Sequence, residues 1–82
     1  MRHRPAPFPE GNRIQRNKLI GSKWTARHPQ NQEKHFIVID WVDADHLPRP
    51  EKIEIEAVYS RKVYKIYYQE LKNAERWQIG WK

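Results

Sequence analysis

The sequence predicts a mainly β domain, and three stretches carry that prediction. Residues 35–42, "HFIVIDWV", are β-branched and aromatic, and the run is too short for a typical helix. In residues 52–59, Ile53, Ile55, Ala57 and Tyr59 alternate with Lys52, Glu54, Glu56 and Val58, the period-two pattern of a strand with one face buried. Residues 63–68 alternate again, Tyr64, Ile66 and Tyr68 against Lys65 and Tyr67. The short connection Ser60-Arg61-Lys62 makes the pair a predicted hairpin.

The other elements follow along the chain. Residues 1–17 read as a disordered, basic, proline-containing arm: Pro5, Pro7 and Pro9 alternate and Gly11 follows. Phe8 is the residue there that could anchor a bound conformation. A single small β domain is expected over residues 18–82. A first strand is expected over residues 19–27, kinked at its start by Gly21 and Ser22, with Trp24 and Ala26 on one face. Residues 28–34, "HPQNQEK", read as a polar loop. In the run 35–42, period two sets Ile37, Ile39 and Trp41 on one face and Phe36 and Val38 on the other. Apolar residues on both faces suggest a central strand or a closed barrel. Pro48 and Pro50 make residues 43–50 a loop. "QELKNAER" is long enough for one short helical or 3-10 turn. Trp77, Ile79 and Trp81 then alternate as a short closing strand. The order fits an SH3-like or Tudor-like barrel of four to five strands, or an open antiparallel sheet covered by the N-terminal segment. Closure would remove exposed edges.

Composition narrows the function. At 82 residues there is room for one thin core, which large aromatic side chains fill efficiently; four Trp, four Tyr and two Phe are available. The absence of cysteine excludes disulfides, cysteine-containing zinc sites and thiol catalysis, and fits a reducing cytoplasm. No apolar run approaches the roughly 20 residues of a membrane-spanning helix, and the basic N-terminus has no apolar stretch behind it, so neither a membrane nor a secretory signal is expected. The net charge is +6. Up to Lys18, Arg2, Arg4, Arg13, Arg16 and Lys18 face Glu10 alone, so four of those six charges lie in the first 18 residues, mostly in the arm. The arm could meet phosphate, acidic protein or anionic lipid, or serve only as a solubilising tail.

Catalysis finds little support. Ser22 and Ser60 lack a nucleophile-elbow setting. The pairs Asp43/Asp45 and Glu54/Glu56 read as solvated charge. His3, His28, His35 and His46 match no common ligand spacing, and no glycine-rich phosphate loop is present. The expectation is a protein that is not an enzyme, with no cofactor, no metal and no small-molecule substrate. The remaining signal is aromatic residues interleaved with basic ones, the combination with which proteins bind single-stranded nucleic acid. Candidate ligand-binding residues are Arg2, Arg4, Arg13, Arg16, Lys23, Arg27, Arg61, Lys62 and Lys65, with Tyr67 as a stacking ring. Trp24, Trp41, Tyr68, Trp77 and Trp81 serve either as core or as stacking surface. RNA or single-stranded DNA is the first expectation for a partner. A protein-interaction adaptor or a small subunit of a larger assembly is the alternative.

Several short motifs, "SKWTA" at residues 22–26, "EKHF" at 33–36, "EAV" at 56–58, "YYQELKN" at 67–73 and "WQIGW" at 77–81, resemble a small bacterial tryptophan-rich protein family of uncharacterised function. The resemblance covers about residues 18–82 and leaves the arm outside. Tyr68, Gln69 and Asn73 stand where the family pattern implies Trp, Arg and Asp. The resemblance implies an independent one-domain protein and no particular activity, cofactor or partner.

Overall fold

The structure, a computed structural model, describes residues 11–82. It is mainly β: β1 (Lys23–Gln30), β2 (Glu33–Trp41), β3 (Lys52–Ala57), β4 (Val63–Tyr67) and β5 (Trp77–Ile79), with 3-10 turns at Arg16–Lys18 and Tyr68–Lys72. All pairings are antiparallel, and the strands form one open sheet in the order β4-β3-β2-β1-β5. Of the two expected architectures, this is the open sheet. The edges β4 and β5 do not pair, so the sheet does not close into an SH3-like barrel.

The most apolar strand, β2, takes the central position, as its two-faced pattern suggests. Its faces differ from simple alternation. Val38 pairs with Ile55, but Asp40 pairs with Glu54 and Trp41 with Ile53, so Ile39 is an extra residue that breaks the register. Phe36 and Val38 are buried, and Trp41 joins their side of the sheet after the bulge; Ile39 is exposed. The expected grouping of Ile37, Ile39 and Trp41 is therefore corrected. In β3 the alternation holds through Ala57 and then stops. Tyr59 is 72% exposed in the tight connection that Arg61, at φ 67°, closes with its amide on the Ala57 carbonyl.

β1 begins later and runs further than the expected strand over 19–27. Gly21, at φ 87°, and the Ser22 amide bonded to the Leu19 carbonyl make the start a turn. The expected polar loop 28–34 is instead the tip of a hairpin. Asn31 and Gln32 both take positive φ, as two-residue hairpin loops require. Pro29 is tolerated because β5 covers only Trp24 to Ala26, leaving the rest of β1 as an edge.

The inner face carries Leu19, Trp24, Phe36, Val38, Ile53, Ile55, Ala57 and Leu71 as its core. Leu71, on the second 3-10 turn, and Leu19 cover it from outside the sheet. Residues 11–18 also belong to this layer. The Asn12 amide bonds the Lys72 carbonyl, its side chain donates to the carbonyls of Leu71 (2.8 Å) and Trp77 (3.0 Å), and Ile14 packs on the core. The expected disorder up to residue 17 therefore does not hold for residues 11–17. The remainder of the expected arm, with Arg2, Arg4 and Phe8, lies outside the described residues.

Candidate functional site

Two surfaces carry chemistry, one on each side of the sheet. The outer one is built by the chain after β5. Gly80, at φ 83°, turns the backbone back across the outer face, and its amide bonds the Lys23 carbonyl. The buried Thr25 hydroxyl donates to the Gly80 carbonyl (2.7 Å) and accepts from the Lys82 amide (2.9 Å). Held this way, Trp81 lies over the sheet, its indole N–H donating to the Phe36 carbonyl at 2.9 Å. Its ring packs at 5.8 Å from His35, and the Lys23 ammonium sits 4.9 Å from its centroid, within cation–π range. Trp81 remains 42% exposed. On the same side of the sheet, Arg27, Lys34 and Lys82 line a shallow pocket of about 320 Å³ with Thr25 and Gln78, and no carboxylate side chain of the described residues lines it.

On the inner face, beyond the part covered by residues 11–19, an open groove of about 360 Å³ runs between the β1–β2 hairpin and β4. Phe36 forms its floor, with Trp77 edge-on at 5.2 Å and Tyr64 at 6.3 Å. Glu33 closes one end. Glu33 is 6% exposed, and its carboxylate accepts hydrogen bonds from the Ser60 hydroxyl and the Tyr64 hydroxyl (2.6 Å for the latter). Those two donors, Ser60 first, hold the Glu33 carboxyl below its ordinary pKa of 4.5, and the same bond to Glu33 raises Tyr64 above 10.0. Glu70, Arg76 and His28 stand on the rim.

The tryptophan-rich protein family DUF2389, a family of unknown function, matches residues 22–82. The chain belongs to this family. The DUF2389 match takes in all five strands, the Trp81 surface and the groove, and begins after the Asn12–Leu19 segment that packs on the core. No curated protein and no solved structure matches the chain.

Within this DUF2389 domain the residues singled out from sequence separate. Trp24, 3% exposed, is core, and its indole donates to the Ser22 hydroxyl. Trp41, Tyr68 and Trp77 are half-buried against the core. Arg16 packs as a clip: its guanidinium lies 4.4 Å from the Trp41 centroid and 5.1 Å from that of Tyr68, and it donates to the Pro50 carbonyl. Lys23 lies beside Trp81, and Arg27 lines the neighbouring pocket with its guanidinium Nε donating to the Ala74 carbonyl at 2.7 Å, which leaves its other N–H groups toward solvent. Arg13 is exposed on the N-terminal segment. Arg61 pairs with Glu56 at 3.4 Å. Lys65 and Tyr67 sit on β4, at the far edge, with Lys62 just before; the β3 carboxylates Glu54 and Glu56 separate them from β1. Tyr67 is 51% exposed, and Lys52 lies 5.1 Å from its centroid. The basic candidates thus do not form one patch.

Lys34, Lys82 and Glu33 were not legible as site residues. Lys34 and Glu33 fall in a stretch that reads as loop until the Asn31–Gln32 turn is known. Lys82 had one signal, its place directly after an aromatic residue in "WQIGWK". Among the described residues no group of three or more His, Asp or Glu side chains is placed to hold a metal ion. No described helix is long and apolar enough to cross a membrane.

Proposed function

We propose that this protein is a non-catalytic module that binds single-stranded nucleic acid on its outer face. A base stacks on Trp81, and phosphates meet Lys23, Arg27, Lys34 and Lys82. The observation that carries the reading is the exposed Trp81 ring, fixed by its bond to Phe36 and with the Lys23 ammonium 4.9 Å from its centroid, on the same side of the sheet as a pocket lined by Arg27, Lys34 and Lys82 and, among the described residues, by no carboxylate side chain. Bases offer π-faces and phosphates offer charge, so a fixed ring beside cations suits both parts of the ligand. A binding role also fits the hydroxyls. Ser22, Thr25 and Ser60 each hold a turn or a neighbouring side chain through hydrogen bonds. A cytoplasmic location, where nucleic acid is available and a cysteine-free chain gives up nothing to a reducing medium, accompanies the proposal.

The test is fluorescence titration with short single-stranded RNA and DNA, in the parent protein and in Trp81→Ala, across salt concentrations. Saturable quenching is expected, and the substitution should weaken binding by about 5- to 150-fold, the equivalent of one stacked base. Binding that is equal in the two proteins, or that ignores salt, would reject the proposal.

A further inference from the structure

We propose that the inner-face groove is a second binding site, which takes one basic side chain, Lys or Arg, from an extended segment of a protein partner. This inference is independent of the nucleic-acid reading and concerns the opposite face of the sheet.

The chain carries an excess of six positive charges, yet this groove places Glu33 at its end and Glu70 on its rim, against Arg76 as the one Lys or Arg among its described lining residues. Nucleic acid is therefore a poor occupant. Glu33 is a buried carboxylate with two hydrogen bonds, from Ser60 and Tyr64, and a carboxylate has about four acceptor positions. Acceptor capacity remains for a cation, and the existing bonds keep the group ionised and oriented. The aromatic lining supplies the second half of the site. Phe36, Trp77 and Tyr64 meet edge to face in a row that leads to the carboxylate. Aromatic faces attract ammonium and guanidinium groups, more strongly where water is excluded. The alkyl stem of Lys or Arg would lie along the rings with its charged end at Glu33, the arrangement in which such side chains cover apolar surface. The groove is open along its length and about 360 Å³ in volume, which suits a side chain arriving on a peptide. The edge of β1 beyond Arg27, unpaired by β5, borders it and leaves backbone groups for an extended segment.

The experiment uses the full chain, labelled for NMR with the tryptophan indole resonances assigned. Three acetylated, amidated pentapeptides are titrated, with Lys, Arg or norleucine at the centre of four Gly. Saturable shifts of the Trp77 indole are expected with Lys or Arg, Trp81 staying still, and the norleucine peptide should bind at least about tenfold more weakly. Glu33→Gln should bring the Lys peptide close to the norleucine peptide, leaving only the difference that the rings supply. The comparison within the parent protein decides the matter even if that variant fails to fold. Equal shifts with norleucine, or no saturation with either cation, would overturn the proposal. So would a shift of Trp77 by single-stranded RNA, or a shift without peptide on replacing Arg2 and Arg4 by Ala, which would make the chain's own N-terminus the occupant. Loss of RNA binding at Trp81 with these Trp77 results intact would reject only the nucleic-acid reading.

Discussion

Trp81 and Phe36 are joined through the sheet: the Trp81 indole donates to the Phe36 carbonyl on the outer face, while the Phe36 ring forms the floor of the inner groove. One β2 residue thus serves both surfaces, with its backbone on one and its side chain on the other. The position of the exposed ring depends on a strand whose side chains are fixed by the core.

The anchor of that ring is Thr25. Its hydroxyl is buried and bonded to both Gly80 and Lys82. Thr25→Val keeps the shape and removes both bonds, leaving the part-buried Gly80 carbonyl and the exposed Lys82 amide without that partner. The expected cost is about 1–3 kcal/mol, read as a lower urea midpoint. Hydrogen exchange at the Lys82 amide should speed up in step, and unchanged exchange would show that Thr25 does not hold the C-terminal turn.

Arg16 tests whether the N-terminal segment is part of the fold. Arg16→Ala removes two cation–π contacts and the bond to Pro50. A loss of about 1–2 kcal/mol in urea unfolding is expected. Nucleic-acid affinity should change little, because the guanidinium is already engaged away from the Trp81 surface.

The contrast between Arg16 and Lys34 shows what the sequence could reveal. Both are single basic residues near turns, and composition ranks the first above the second. Arg16 stacks on Trp41 and Tyr68 only because a bulge at Ile39 brings Trp41 to the inner face. Lys34 reaches the outer pocket only because positive φ at Asn31 and Gln32 turns a polar stretch into a hairpin. The strands expected over residues 35–42, 52–59 and 63–68 and the family were legible because alternation and motif spacing are local properties. The bulge, the hairpin tip and the open edges were not, because they depend on which strands pair and in what register.

Salt dependence should follow Lys23 beside Trp81 and the three cations of the neighbouring pocket, Arg27, Lys34 and Lys82. For a single strand, each phosphate contact contributes about −0.7 to the slope of log affinity against log salt, so the parent should give a slope of about −3. The double variant Lys34→Ala/Lys82→Ala should bring it to about −1.5, whereas Lys62→Ala/Lys65→Ala should leave it unchanged. Equal effects of the two pairs would indicate a diffuse field in place of a site.

Stability should depend on pH through Glu33 and Tyr64. The folded Glu33 carboxyl lies below its ordinary 4.5, so its contribution is fully present above that value and is lost as pH falls through the folded pKa. The folded Tyr64 lies above 10.0, so its contribution is present below 10.0 and is lost as pH rises through its folded pKa. Urea midpoints should therefore fall at both ends, and Glu33→Gln should flatten the acid limb. An acid limb of the same slope in that variant would assign the pH dependence to other carboxylates.

The central claim is that Trp81 is the stacking ring of a nucleic-acid surface. The most direct test is to titrate the labelled full chain with a single-stranded octanucleotide at low salt and follow all four tryptophan indole resonances. The account predicts a large, saturable shift at Trp81, with Trp24 unmoved in the core. A still Trp81, whether because nothing binds or because binding registers at Trp41 or Trp77 instead, would contradict it.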